Sequence, residues 1–171
     1  MALTLALIAG SAPAWAIDYE MEAVSGVLSF QPPERWRFAG DQHGPDFSYF
    51  VFADVERTAD IEILVSPRSR QGRDIVFENE FVTMFTDLYV DGRDWRVVDL
   101  DVFSVVSASG RRFEAVTRRI RLDDEEHRLT TAFPEDHGVT SRAGLFLTSS
   151  MGERRHELDL QVLVDSLRLP D

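Results

Sequence analysis

The chain has 171 residues, 44% hydrophobic and 11% aromatic, which is the length of one domain with ample material for a packed core. A net charge of −12 repels phosphate backbones and anionic lipid, which speaks against a nucleic-acid or membrane-surface role. Cysteine is absent, so disulfides, thiolate metal sites and cysteine nucleophiles are excluded.

Residues 1–10 read MALTLALIAG, an apolar run followed by Pro13 and the small-x-small pattern Ala14-Trp15-Ala16. The run is too short to span a bilayer, which needs about 20 residues. The expectation is a signal peptide over 1–16 and a single domain over 17–171. The mature protein would then be periplasmic or secreted, with no stable membrane insertion after cleavage.

The first strand is Gly26–Phe30, ended by Pro32-Pro33, since proline cannot donate to a ladder. Trp36 and Phe38 alternate with Arg35 and Arg37 as a half-buried strand does. Gly40–Asp46 has loop composition, and Phe47–Phe52 and Ile61–Val65 read as strands. Asp74–Val90 is a helix with Phe77, Phe81, Phe85 and Leu88 on its apolar face and Ile75, Val82 and Tyr89 beside it. Asp91-Gly92 closes it.

Four strands come next. Trp95–Val106 alternates in part, with Val98, Leu100 and Val102 separated by polar residues. Phe113–Leu122 alternates cleanly, and the register that turns Val116, Ile120 and Leu122 inward leaves Arg119 in water. The turn Asp123-Asp124-Glu125-Glu126 leads into His127–Phe133, and Gly144–Ser149 is the last strand. Glu153–Leu169 is a second helix, with Leu160, Leu163, Val164 and Leu167 on one face. Runs of strands, each followed by a helix, imply an α+β domain: an antiparallel β-sheet with two amphipathic helices packed on it.

This order, with the early Pro33-Glu34-Arg35-Trp36 turn, the aromatic helix Phe77–Tyr89 and the closing Asp165-Ser166-Leu167, resembles the PsbP-like fold. That fold is shared by the extrinsic photosystem II protein, the DcrB proteins of bacterial envelopes and the Ran-binding Mog proteins. The resemblance covers about Gly26 to Leu169 and implies a non-enzymatic accessory or binding protein of the envelope, without catalytic residues and with no ligand named. It carries over no functional residue. The alternative is a curved sheet holding a helix, of the cystatin or NTF2 type.

The chemistry-bearing residues form no spaced motif. His43, His127, His137 and His156 make no HExxH or other metal pair, and no glycine-flanked serine elbow or phosphate loop occurs. The acidic turn lacks the alternate spacing of a calcium loop. No catalytic residue, metal or cofactor is therefore expected. Trp36, Phe38, Phe47, Tyr49 and Phe52 read as core rather than a ligand pocket. Asp123, Asp124, Glu125 and Glu126 are the most concentrated negative site, and they are the candidate contact for a protein partner that presents basic groups. The functional expectation is an exported, non-enzymatic accessory or binding protein of the bacterial cell envelope. The alternative is an exported hydrolase whose Ser, His and Asp come from separated strands.

Overall fold

A computed structural model describes residues 19–24, 26–32, 35–67, 74–135, 141–150 and 152–170. The segment 1–16, the loop arginines Arg68, Arg70 and Arg73, and His137 lie outside the described residues. In chain order the elements are β1 (Tyr19–Ala23), β2 (Gly26–Phe30), β3 (Trp36–Gly44), β4 (Phe47–Asp54), β5 (Ala59–Pro67) and α1 (Asp74–Val90). Then come β6 (Trp95–Val106), β7 (Arg112–Leu122), β8 (Glu125–Pro134), β9 (Ser141–Ser149), α2 (Glu153–Ser166) and β10 (Leu167–Arg168).

Seven strands pair antiparallel in the order β3-β4-β5-β9-β8-β7-β6, and β1-β2-β10 form a small second sheet. The fold is α+β, two helices on an antiparallel sheet, as the order of elements implied. A single curved sheet wrapped around one helix does not describe it.

The large sheet is covered on both faces, so its central strands bury both sets of alternating side chains. On one face α1 lays Phe77, Phe81 and Phe85 against Phe133 and Phe146, with Ile120, Leu122 and Leu129 in the same cluster. On the other, α2 and the small sheet bury Leu160, Leu163 and Val164 with Leu28, Phe30, Phe50, Phe52, Phe113 and Ala115. Each such aromatic or aliphatic side chain contributes about 1.5–3 kcal/mol. Gly144 of β9 sits beneath α1, where a Cβ would lie 2.6 Å from the Phe81 ring, so the helix can approach the sheet only because no side chain stands there.

An ion-pair cluster locks the two layers on the α2 side. Arg35 pairs with the buried carboxylates of Asp54, at 3.1 Å, and Asp159 of α2. Asp54 also accepts the Thr58 N–H and hydroxyl, both at 2.7 Å, which closes the β4–β5 turn. The Arg35 guanidinium stacks 4.6 Å from the Trp36 ring centroid.

Several sequence expectations are corrected. Leu88 is 65% exposed, because the helix's buried face runs through Phe77, Phe81, Phe85 and Val90. Ile75 is exposed as well. Gly40–Gly44 continues β3 as a strand, because pairing with Phe47–Val51 supplies ladder partners that loop composition does not reveal. The terminal helix stops at Ser166, where Leu167 and Arg168 turn extended and pair with Phe30 and Ser29. The choice of one inward register for β7 also fails. Phe113 and Ala115 bury beneath α2 while Ile120 and Leu122 bury beneath α1. Of the five aromatics read as core, Trp36 and Phe52 are fully buried and Phe38 is 40% exposed.

Candidate functional site

The acidic turn is a hairpin tip between β7 and β8. Asp123 and Asp124 both have positive φ, 48° and 70°, the left-handed pair that a two-residue hairpin needs. All four carboxylates are exposed, and two face arginines: Asp123 lies 3.9 Å from Arg93, and Glu126 lies 3.2 Å from Arg128. The neutral ring of His127, its pKa lowered mainly by burial, lies 3.8 Å from Glu125. Exposed pairs of this kind contribute little energy. The turn also adjoins the start of β6, since the Asp123 N–H donates to the Asp94 carbonyl at 3.3 Å.

A Ser–His–Asp contact exists where the sequence showed no motif. His43 Nδ1 lies 3.0 Å from Ser48 Oγ and its Nε2 lies 2.9 Å from Asp41. Yet Ser48 is 1% exposed, and its oxygen accepts the Val24 N–H at 2.8 Å. A nucleophile must reach a substrate carbonyl. This hydroxyl is instead closed in, tying the β1–β2 turn to the β3–β4 hairpin.

Two further polar groups lie within the sheet layers, one half-buried and one fully buried. Glu62 accepts the Tyr49 hydroxyl at 2.7 Å, and burial pushes its carboxyl up to about 7, while the Tyr49 phenol is raised by burial and by Glu62. On the other face His156 Nε2 lies 2.6 Å from Thr130 Oγ1, which lies 2.6 Å from Thr117 Oγ1. Burial, with Arg128 nearby, pulls the His156 pKa down to about 4, so the ring is neutral at pH 7. No carboxylate among the described residues orients it, and this row ties α2 to the sheet. No group of three or more His, Asp or Glu among the described residues could hold a metal ion.

The feature with the right exposure is β6. It is the terminal strand of the large sheet and runs for 12 residues. The two-residue turn makes Leu122 and Glu125 a hydrogen-bonded pair, so the backbone groups of Leu122, Ile120, Arg118 and Val116 face β8. Their partners on β6, Trp95, Val97, Leu100 and Val102, therefore turn N–H and C=O outward. Two bonds agree with this. The Leu100 N–H is held at 2.9 Å by the adjacent Asp99 carboxylate, and the Val106 carbonyl accepts Gln161 Nε2 of α2 at 3.1 Å.

The side chains of the same four residues lie on the α1 side of the sheet, beyond the helix, and all are exposed, Val102 to 67%. On the α2 side, an open groove of about 370 Å³ runs between α2 and β6. Phe103 and Leu160 form its floor, and Asp99, Asp101 and Glu157 line it. Asp99 is held by Arg119 at 3.1 Å, while Asp101 and Glu157 have no ion-pair partner among the described residues. The alternation of β6 was visible in the sequence. Its place at the edge was not.

No protein family matches the chain, and no curated protein does. Among solved structures, a Mog1 point mutant matches with 11% identity and a TM-score of 0.49, over 91% of this chain and 97% of that one. The Ran-binding protein Mog1p of Saccharomyces cerevisiae matches with 10% identity and a TM-score of 0.45, over 88% and 86%. Identity at this level concerns fold alone. The expectation of an exported accessory protein of a bacterial envelope, with its exported-hydrolase alternative, is corrected by these findings: these two structures are Mog1 proteins, one of them a yeast Ran-binding protein, and nothing in them supports an envelope role. That expectation rested on residues 1–16, which lie outside the described residues, and on the absence of motifs and the PsbP-like order of elements, neither of which names a compartment.

Proposed function

We propose that this domain works by binding protein rather than by catalysis, and that it takes an extended segment of a protein partner, with basic groups set against its aspartates, along edge strand β6. The observation that carries the reading is the outward-facing backbone of Trp95, Val97, Leu100 and Val102 beside four exposed apolar side chains. Strand addition draws affinity from such main-chain groups and specificity from alternate side chains. Asp94, Asp99 and Asp101, with the Asp123–Glu126 turn beside them, favour basic groups on the incoming strand. The burial of Ser48 and of His156, which is held by Thr130, supports binding over catalysis.

The test is residue-resolved amide exchange with a soluble peptide of alternating valine and arginine, and with a glutamate counterpart. The arginine peptide should slow exchange at Val97, Leu100 and Val102 by at least about tenfold, while Arg96 and Asp101, already facing β7, change little. Free exchange at Val97, Leu100 and Val102 both with and without peptide refutes strand addition at β6.

A further inference from the structure

We propose that the strand received by β6 is β6 of a second copy, paired antiparallel about a twofold axis between Val98 and Asp99. This rests on the reading of β6 as a strand-addition edge and names its partner. In an unbulged strand such an axis is forbidden, because consecutive side chains point to opposite faces and would meet mismatched. The bulge removes the obstacle. Val97 pairs with Ile120 and Asp99 with Arg119, which leaves Val98 as the extra residue. Val97 and Leu100 therefore share a face and both turn their backbone groups outward. Two copies carry the same bulge, so the irregularity of one matches that of the other.

In this register Val97 falls opposite Leu100 of the second copy, and Trp95 opposite Val102. The exposed apolar residues of each edge thus meet their counterparts on the α1 side. On the α2 side Arg96 falls opposite Asp101. Within its own chain Arg96 sits directly across from Arg121, a like-charge pairing that destabilises a ladder. Neither Arg96 nor Asp101 has an ion-pair partner among the described residues. The twofold axis provides one to each, twice. The Gln161 amide of α2 occupies the outward carbonyl of Val106, beyond the Trp95–Val102 segment that the pairing uses, while within that segment the Leu100 N–H exchanges its exposed Asp99 partner for the Val97 carbonyl of the second copy. A unit shift to either side would bring outward backbone groups against inward ones, so the bulge and the charges together select one register and reject promiscuous partners.

The experiment is sedimentation of the full chain from micromolar to millimolar concentration at physiological salt, for the wild type, Asp101→Arg, and the double variant Arg96→Asp with Asp101→Arg. Both sites are exposed, and circular dichroism checks that each variant folds. The wild type should dimerise with concentration. Asp101→Arg should weaken the dimer by about tenfold, since it replaces two attractive cross-strand pairs by two repulsive ones. The charge-swapped double variant should recover wild-type association. A wild type that stays monomeric overturns the proposal, as does an unweakened Asp101→Arg or a double variant as weak as the single. Amide exchange separates this failure from that of the broader reading. If a monomeric chain still protects Val97, Leu100 and Val102 on adding the arginine peptide, only the second copy is refuted; if those amides stay unprotected throughout, strand addition falls too.

Discussion

Substituting Gly144→Ala places one methyl group between α1 and the sheet, and the cost can be worked from the geometry. The new Cβ would lie 2.6, 2.7 and 2.9 Å from three ring carbons of Phe81. Ordinary carbon contacts are about 3.5–4.0 Å, so the ring must retreat by about 1 Å. It has little room, because its centroid is 4.4 Å from that of Phe85, 5.3 Å from Phe133 and 6.1 Å from Phe77. Overpacking of this kind costs about 1–3 kcal/mol. The companion variant Phe81→Leu shortens the opposing side chain and makes room for the methyl. In urea melts, Gly144→Ala should lose about 1–3 kcal/mol, and the double variant should lose less than the sum of the singles by about 1–2 kcal/mol. A loss below about 0.5 kcal/mol for Gly144→Ala, or strict additivity, would show that α1 does not rest on β9 through this contact.

Replacing Arg35 by Ala strands the carboxylates of Asp54 and Asp159 in the interior and should cost about 3–5 kcal/mol in the same melts, whereas an exposed pair such as Arg119–Asp99 should cost under about 1 kcal/mol. The half-buried Glu62 and the buried His156 should give opposite pH dependences. Glu62 has a folded pKa above its unfolded value, so its contribution is full below about 4.5 and is lost as pH rises through about 7; His156 has a depressed one, so its contribution is full above about 6.5 and is lost as pH falls towards about 4. Each is of the order of 3 kcal/mol, so Glu62→Gln should leave stability rising with pH between about 4 and 6.5, and His156→Gln should leave it falling between about 4.5 and 7, as read by melts across pH. Replacing Asp123-Asp124 by Asn-Gly, the residues that best tolerate two positive φ angles, should stabilise the β7–β8 hairpin by about 1 kcal/mol; a loss of stability would mean that the aspartates hold the turn by other means.

Much of the architecture was legible because it depends on local pattern. The spacing of Phe77, Phe81 and Phe85 marks a helix with one buried face, and the alternation of Phe113 to Leu122 marks a strand, since side-chain direction follows backbone period. Those patterns, with the turn residues between them, were enough to place ten of the twelve elements among the described residues in type and order, leaving β1 and the two-residue β10 to long-range pairing. What they do not carry is which element lies beside which. Leu88 reads as apolar-face and is solvent-exposed, because the width of a helix's buried stripe depends on the surface beneath it. Phe113 and Ile120 both bury, on opposite faces, because the sheet is covered twice. Ser48, His43 and Asp41 come together through hairpin pairing, and Ser48 is sealed by a turn from another sheet. The candidate site follows the same rule. The residues of β6 announce a strand, but strand order in a sheet is set by non-local pairing, and only that order leaves Trp95–Val102 without a second neighbouring strand among the described residues and turns the backbone groups of Trp95, Val97, Leu100 and Val102 away from β7.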